Sequence, residues 1–135
     1  MAIQQTFQRK SKYKDFDLNF TKHPLTNDLV VKKGVSAINQ SVKNLIQTSF
    51  YERPFQPTLG SQARSLLFEH ADAIVIQNMR RVISEVIANN EPRVKIKQLV
   101  IRDMTDSNAY AVELRYEMQD VKTDENLSIV LERLR

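Results

Sequence analysis

The chain of 135 residues has no cysteine and no tryptophan, and its only glycines are Gly34 and Gly60. Each shortage removes a class of chemistry. Without cysteine there is no disulfide framework, thiolate metal site or cysteine nucleophile, which fits a reducing compartment. Two isolated glycines make no phosphate-cradling loop. His23 and His70 lie far apart without ligand-like companions, so no metal or cofactor is expected. Serine and threonine occur in no histidine–acid arrangement that would mark a nucleophile. No apolar run reaches transmembrane length, and no apolar stretch follows the basic N-terminus, so neither a membrane span nor a signal peptide is expected.

What remains is the balance of a globular domain, 41% hydrophobic and 27% charged. At this length a chain buries most of its apolar surface without staples. The net charge of +4 is lopsided: residues 1–34 hold seven Lys/Arg against three Asp/Glu, and residues 35–135 hold thirteen of each. A basic, extended N-terminal arm over 1–34 is therefore expected ahead of a single α+β domain over 35–135. Asp15, Asp17 and Asp28 dilute the arm's charge and no amphipathic helix gathers it. An acidic protein neighbour suits it better than nucleic acid.

Within the arm, Tyr13, Phe16, Leu18 and Phe20 read as aromatic and apolar anchors of an extended segment, His23-Pro24 and Asn27-Asp28 as turns, and Leu29-Val30-Val31 as a short strand. Gly34 opens a helix with Val35, Ile38, Val42, Leu45 and Ile46 on one face. Residues 51–60 carry two prolines and a glycine and are loop. Ser61 is the expected N-cap of a short helix bearing Ala63, Leu66 and Leu67. A longer helix runs from about Asp72 to Asn89, with Met79, Ile83 and Val86 in the core. Asn89-Asn90 suits its end because asparagine tolerates the left-handed conformation. After residue 93 the period switches to two. Val94 to Arg102 is a strand, Tyr110, Val112, Leu114, Tyr116 and Met118 alternate as a second, and Leu127, Ile129 and Leu131 as a third. Short connections imply an antiparallel meander of three to four strands, with the preceding helices packed on one face.

The switch of period falls at Glu91-Pro92-Arg93. A proline there biases Glu91 out of the α region, fixes its own φ and offers no backbone donor. A turn needs only the proline, so the two flanking charges ask for a partner. An internal ion pair, worth about 0–1 kcal/mol if exposed, is one reading. A carboxylate on another subunit, gripped by the rigid fork of Arg93, is the other.

Thr48, Glu52-Arg53-Pro54-Phe55, Pro57, Gly60, Leu67-Phe68-Glu69 and Glu91-Pro92-Arg93 form a linear series. In order and spacing it resembles the baseplate wedge family of contractile phage tails, the gene-25-like or GPW family, which includes the TssE baseplate subunit of type VI secretion. The likeness starts near Phe16-Asp17-Leu18, passes through residues 23–28 and covers most of the chain. One departure is Tyr51, where a glycine is expected. The resemblance implies a lysozyme-like gene 25 family fold and a structural, non-enzymatic virion protein, assembled in the host cytoplasm into the tail baseplate. It also implies docking on the core helical bundle of other wedge proteins through Glu91, Pro92 and Arg93, and templating of the first tail sheath ring. The N-terminal segment favours a virion protein over a secretion subunit.

Set against that family, Glu52 and Arg53 are further partner-binding candidates, while Phe55, Pro54 and Pro57 are expected to fix the loop, with Phe55 plugged into the core. Arg53 is free to pair with Glu91 or with a neighbour. A final strand is expected at a sheet edge with unpaired backbone groups. Leu127, Ile129, Leu131 and Arg133 on it are assigned to sheath contact by strand addition. A peptidoglycan hydrolase is the weaker alternative. It needs two carboxylates facing one cleft, and Glu52, Glu69, Glu85 and Glu91 lack an aromatic, sugar-stacking frame. No small-molecule substrate or membrane partner is expected.

Overall fold

The computed structural model describes residues 12–120 and 122–133. They divide into two compact units, with the boundary between Asn39 and Gln40, which are described separately.

In the smaller unit, β1 (Lys14–Phe16) pairs antiparallel with β2 (Val31–Lys33), and Lys22 bridges Leu29. The arm expected to be extended is thus a hairpin over residues 12–34; residues 1–11 of that expectation lie outside the described residues. Asp17 organises the hairpin. Its carboxylate takes the Lys32 ammonium at 3.1 Å and the Thr21 hydroxyl at 2.9 Å. The Lys32 contact first, then Thr21, holds it below the ordinary carboxylate value. His23 Nδ1 accepts the Leu25 and Thr26 amides, both at 3.3 Å, and closes the following turn. Phe16, Leu18 and Phe20 are exposed rather than anchored, and the second strand begins at Val31 instead of Leu29.

Helix α1 (Val35–Gln47) carries the predicted stripe, with Ile38, Val42, Leu45 and Ile46 buried. In the larger unit a loop leads to α2 (Ala63–Leu66) and α3 (Ala73–Asn90). Gln62, not Ser61, takes the cap position of α2 and makes no side-chain cap. The buried Ser61 hydroxyl instead donates to the Ile46 carbonyl at 2.7 Å and accepts the Ala63 amide at 3.3 Å. Helix α3 turns Val75, Met79, Ile83, Val86 and Ile87 inward. Its end uses no left-handed asparagine: the chain leaves through Glu91 at φ −128°, ψ 74°, while Asn90 donates to the Val86 carbonyl.

Three strands follow as a meander, β3 (Val94–Met104), β4 (Ala109–Met118) and β5 (Asp124–Glu132), antiparallel in the order β3-β4-β5. A 3-10 turn over Thr105–Ser107 joins the first two. Tyr110, Val112, Leu114, Tyr116 and Met118 on β4 are all buried, as are Ile129 and Leu131 on β5, and α3 packs along β3. Each such apolar side chain contributes roughly 1.5–3 kcal/mol by leaving water. The α+β architecture is the expected one, with three strands in the main sheet.

Candidate functional site

Three features of the larger unit could meet partners: the bend at residues 91–93, the loop over 51–60 and the outer edge of β5. At the bend, the Glu91 amide closes α3 on the Ile87 carbonyl at 2.8 Å, and the Glu91 carbonyl accepts the Val94 amide at 3.1 Å. The chain therefore reverses within three residues and enters β3. Glu91 is only 2% exposed. One oxygen of its carboxylate accepts Nε of Arg93. The other accepts a terminal guanidinium nitrogen at 2.6 Å and the Ser41 hydroxyl of α1 at 2.7 Å. Burial pushes this carboxyl up, but the Arg93 and Ser41 hydrogen bonds outweigh burial and hold it below the ordinary value. The phenol of Tyr116 is pushed up to about 12, first by burial and then by Glu125 and Glu91, so it stays neutral.

The two charges that the sequence leaves open thus face each other, and Glu91 is covered. The guanidinium fork meets a carboxylate of its own chain in the bidentate geometry that a lysine cannot reproduce. A neighbour would meet Pro92, which is exposed, and the Arg93 side chain, which is 36% exposed. Beside Pro92 lies an open groove of about 560 Å³ lined by Ser84 and Ala88 of α3, Val94, Lys95 and Ile96 of β3, and Gln119. Its helical wall is built from small residues, which lets another backbone come close.

The loop over 51–60 is closed by its own hydrogen bonds. The Ser49 amide donates to the Glu52 carboxylate at 2.8 Å, the Glu52 amide returns to the Ser49 carbonyl, and the Tyr51 amide reaches Pro57. Tyr51 sits at φ +64°, the left-handed conformation that glycine adopts most cheaply. That explains why a glycine suits this position. Gly60 lies against the chain at Thr48, where an added Cβ would stand 2.7 Å from the Thr48 oxygen. Phe55 does not plug the core: it is 98% exposed, and Tyr51 83%. Arg53 and Glu52 are exposed too. Glu91 is engaged by Arg93 and Ser41 rather than by Arg53.

Strand β5 pairs with β4 alone among the described residues, from Ala109↔Glu132 to Glu117↔Asp124 with no register shift. The Arg133 amide donates to Asn108 at 3.0 Å, and this sets the phase of the ladder. In an antiparallel pair alternate residues exchange hydrogen bonds. Leu127, Ile129 and Leu131 therefore turn their backbone groups to β4, while Asn126, Ser128, Val130 and Glu132 turn theirs outward. Ile129 and Leu131, assigned to sheath contact from sequence, have side chains buried in the core, and Leu127 is half-buried. The guanidinium of Arg133 donates to the Leu67 and Glu69 carbonyls and ties the strand's end to the turn after α2. What this strand offers outward is a row of backbone groups at alternate positions, which no periodicity of side chains reveals.

Comparison with known proteins adds a separate line. The family model for "Baseplate wedge protein gp25" matches residues 32–123. Baseplate wedge protein gp25 of Enterobacteria phage T4 is 27% identical over 112 residues, covering 83% of this chain and 84% of its own length. A Geobacter sulfurreducens protein, assigned provisionally as a tail lysozyme, superposes with a TM-score of 0.71 at 16% identity, over 78% of this chain and 96% of that one. A chain of the anti-feeding prophage baseplate gives 0.63 at 21% identity, over 91% and 88%. A chain of the post-contraction pyocin R2 baseplate gives 0.53 at 13%, over 84% and 98%. At these identities the structural likenesses speak for the fold.

Proposed function

We propose a function from the premise that this chain belongs to the baseplate wedge protein gp25 family: it is a structural component of the baseplate wedge in a contractile tail, located in the virion tail and working through interfaces rather than catalysis. The family match over residues 32–123 carries this reading. Within it, the bend docks on helices of neighbouring wedge proteins. Support comes from the groove beside Pro92, whose small-residue wall on Ser84 and Ala88 admits a helix. Glu91 and Arg93 hold the shape of that bend from inside, Arg93 with part of its side chain outward. Glu52 and Arg53 lie on an exposed loop suited to a further wedge contact. The outer edge of β5 receives a strand from the tail sheath. Support comes from the outward backbone groups of Asn126, Ser128, Val130 and Glu132, since main-chain bonds give affinity without demanding a sequence.

Two variants test the division. Ala88→Arg fills the groove with an exposed charge; it is expected to abolish co-assembly with wedge proteins while melting as the wild type does. Ser128→Pro removes one outward amide; it is expected to keep wedge assembly and lose sheath nucleation. Wedge assembly surviving Ala88→Arg moves the docking face elsewhere, and sheath forming on Ser128→Pro baseplates moves the sheath contact off β5. A hydrolase reading has the Geobacter likeness behind it. However, the buried carboxylate Glu91 is engaged by Arg93 and Ser41 and held low, whereas a general acid needs a raised value. Release of sugar from peptidoglycan by the purified chain would restore it.

A further inference from the structure

Directly beside the outer edge of β5 lies an open groove of about 440 Å³, lined by Ile46 and Gln47 of α1, Arg64 and Leu67, and Val130, Leu131 and Glu132 of β5 itself. It is continuous with the backbone groups that Val130 and Glu132 turn outward. A strand laid against β5 stands about 4.8 Å away, and its alternate side chains project to the face that Ile129 and Leu131 occupy. On that face the first things they meet are Ile46 and Leu67, both buried at the groove floor. Bare backbone addition leaves the groove above this floor open; an apolar side chain from the added strand fills it.

Resting on the strand-addition reading, we propose that this groove is a side-chain subsite that selects the strand. It takes one large apolar residue at a core-facing position, and the exposed guanidinium of Arg64 at its mouth takes a carboxylate two residues away on the same strand face, about 7 Å along. The occupant is therefore an extended segment of another protein with an apolar residue and an acidic residue spaced i, i+2. Backbone pairing supplies register-tolerant affinity, and the groove supplies the preference.

The test uses the full-length, isotopically labelled protein and synthetic strand peptides of about ten residues, differing only at the core-facing position (Leu or Ser) and at the position two residues on (Asp or Lys). Amide shifts of Asn126, Ser128, Val130 and Glu132 report addition at the edge. The Leu–Asp peptide is expected to bind at least about tenfold tighter than its Ser counterpart. In Arg64→Glu protein, whose substitution is on the surface, the Asp-over-Lys preference is expected to invert. Leu and Ser peptides shifting these amides at equal concentrations would overturn the subsite and leave strand addition standing. No peptide moving them at all, with Ser128→Pro indistinguishable from wild type, would overturn strand addition and the subsite with it.

Discussion

The two edges of the β3-β4-β5 sheet are built to opposite specifications. Along β3, Lys95 and Lys97 stand exposed, and the register with β4 slips between Ile96 and Gln98. Lys97 is held by Glu117 at 2.7 Å. Lysines and bulges are the devices that keep an edge from pairing with another chain. Along β5 there is neither: its register is unbroken, and from Asn126 to Leu131 it carries no charge and no proline. Among the described residues, one sheet therefore guards one edge with lysines and a register slip and carries neither device along the other.

The comparison breaks most sharply along β5 itself. Ile129→Pro removes a bond to β4 and distorts the core, and is expected to cost about 3 kcal/mol or more. Ser128→Pro, one residue away with its amide outward, is expected to cost under about 1 kcal/mol. Urea denaturation of the pair checks the phase of the ladder, and similar losses at both positions would contradict it.

At the start of β3, Arg93→Ala leaves the buried Glu91 carboxylate with the Ser41 hydroxyl alone. A loss of about 2–3 kcal/mol is expected at neutral pH, the partly exposed guanidinium placing it toward the low end for a broken buried pair. The sign with pH follows from the carboxyl being held low. Its contribution is complete above the ordinary glutamate value of 4.5 and is lost as pH falls through the lower folded value. Thermal melts from neutral to acid pH are expected to show wild type and Arg93→Ala converging in acid. Parallel curves would mean that the pair is not what holds the bend.

Removing the guard, with Lys95→Val and Lys97→Val together, is expected to turn β3 into a second sticky edge. Light scattering should show concentration-dependent self-association, with stability changed by less than about 1 kcal/mol. If the double variant stays monomeric, the lysines do not protect that edge. The smallest effect is expected at the loop. Phe55→Ala should leave stability within about 0.5 kcal/mol, as for an exposed residue, where a core phenylalanine would lose about 3–5 kcal/mol.

Much of this was legible in residue spacing. The stripes of α1 and α3 and the alternation of β4 read directly, because one face of each is buried and side chains repeat with the backbone period. The β5 alternation marked its inner face equally well, and for that reason pointed to Ile129 and Leu131, the residues that pack rather than those whose backbone faces out. Phe55 was misread because an aromatic between two prolines looks the same in sequence whether the loop folds inward or is closed on itself by Glu52 and Ser49. The hairpin over residues 12–34 depends on Asp17 meeting Lys32 across a turn, a contact that no short-range period encodes. The partnership of Glu91 with Ser41 was missed for the same reason.

That partnership gives the bend a place in the history of the chain. Glu91 finds Arg93 two residues away but Ser41 fifty residues earlier. The entropy of closing a loop grows with its length, so the nearer grip is available to a chain that has folded nothing else, whereas the farther one exists only once α1 has arrived. The hydroxyl of Ser41 thus acts as a long-range clasp: it ties the bend to α1 only where both ends of that span are in place, and joins a local turn to the packing of the larger unit.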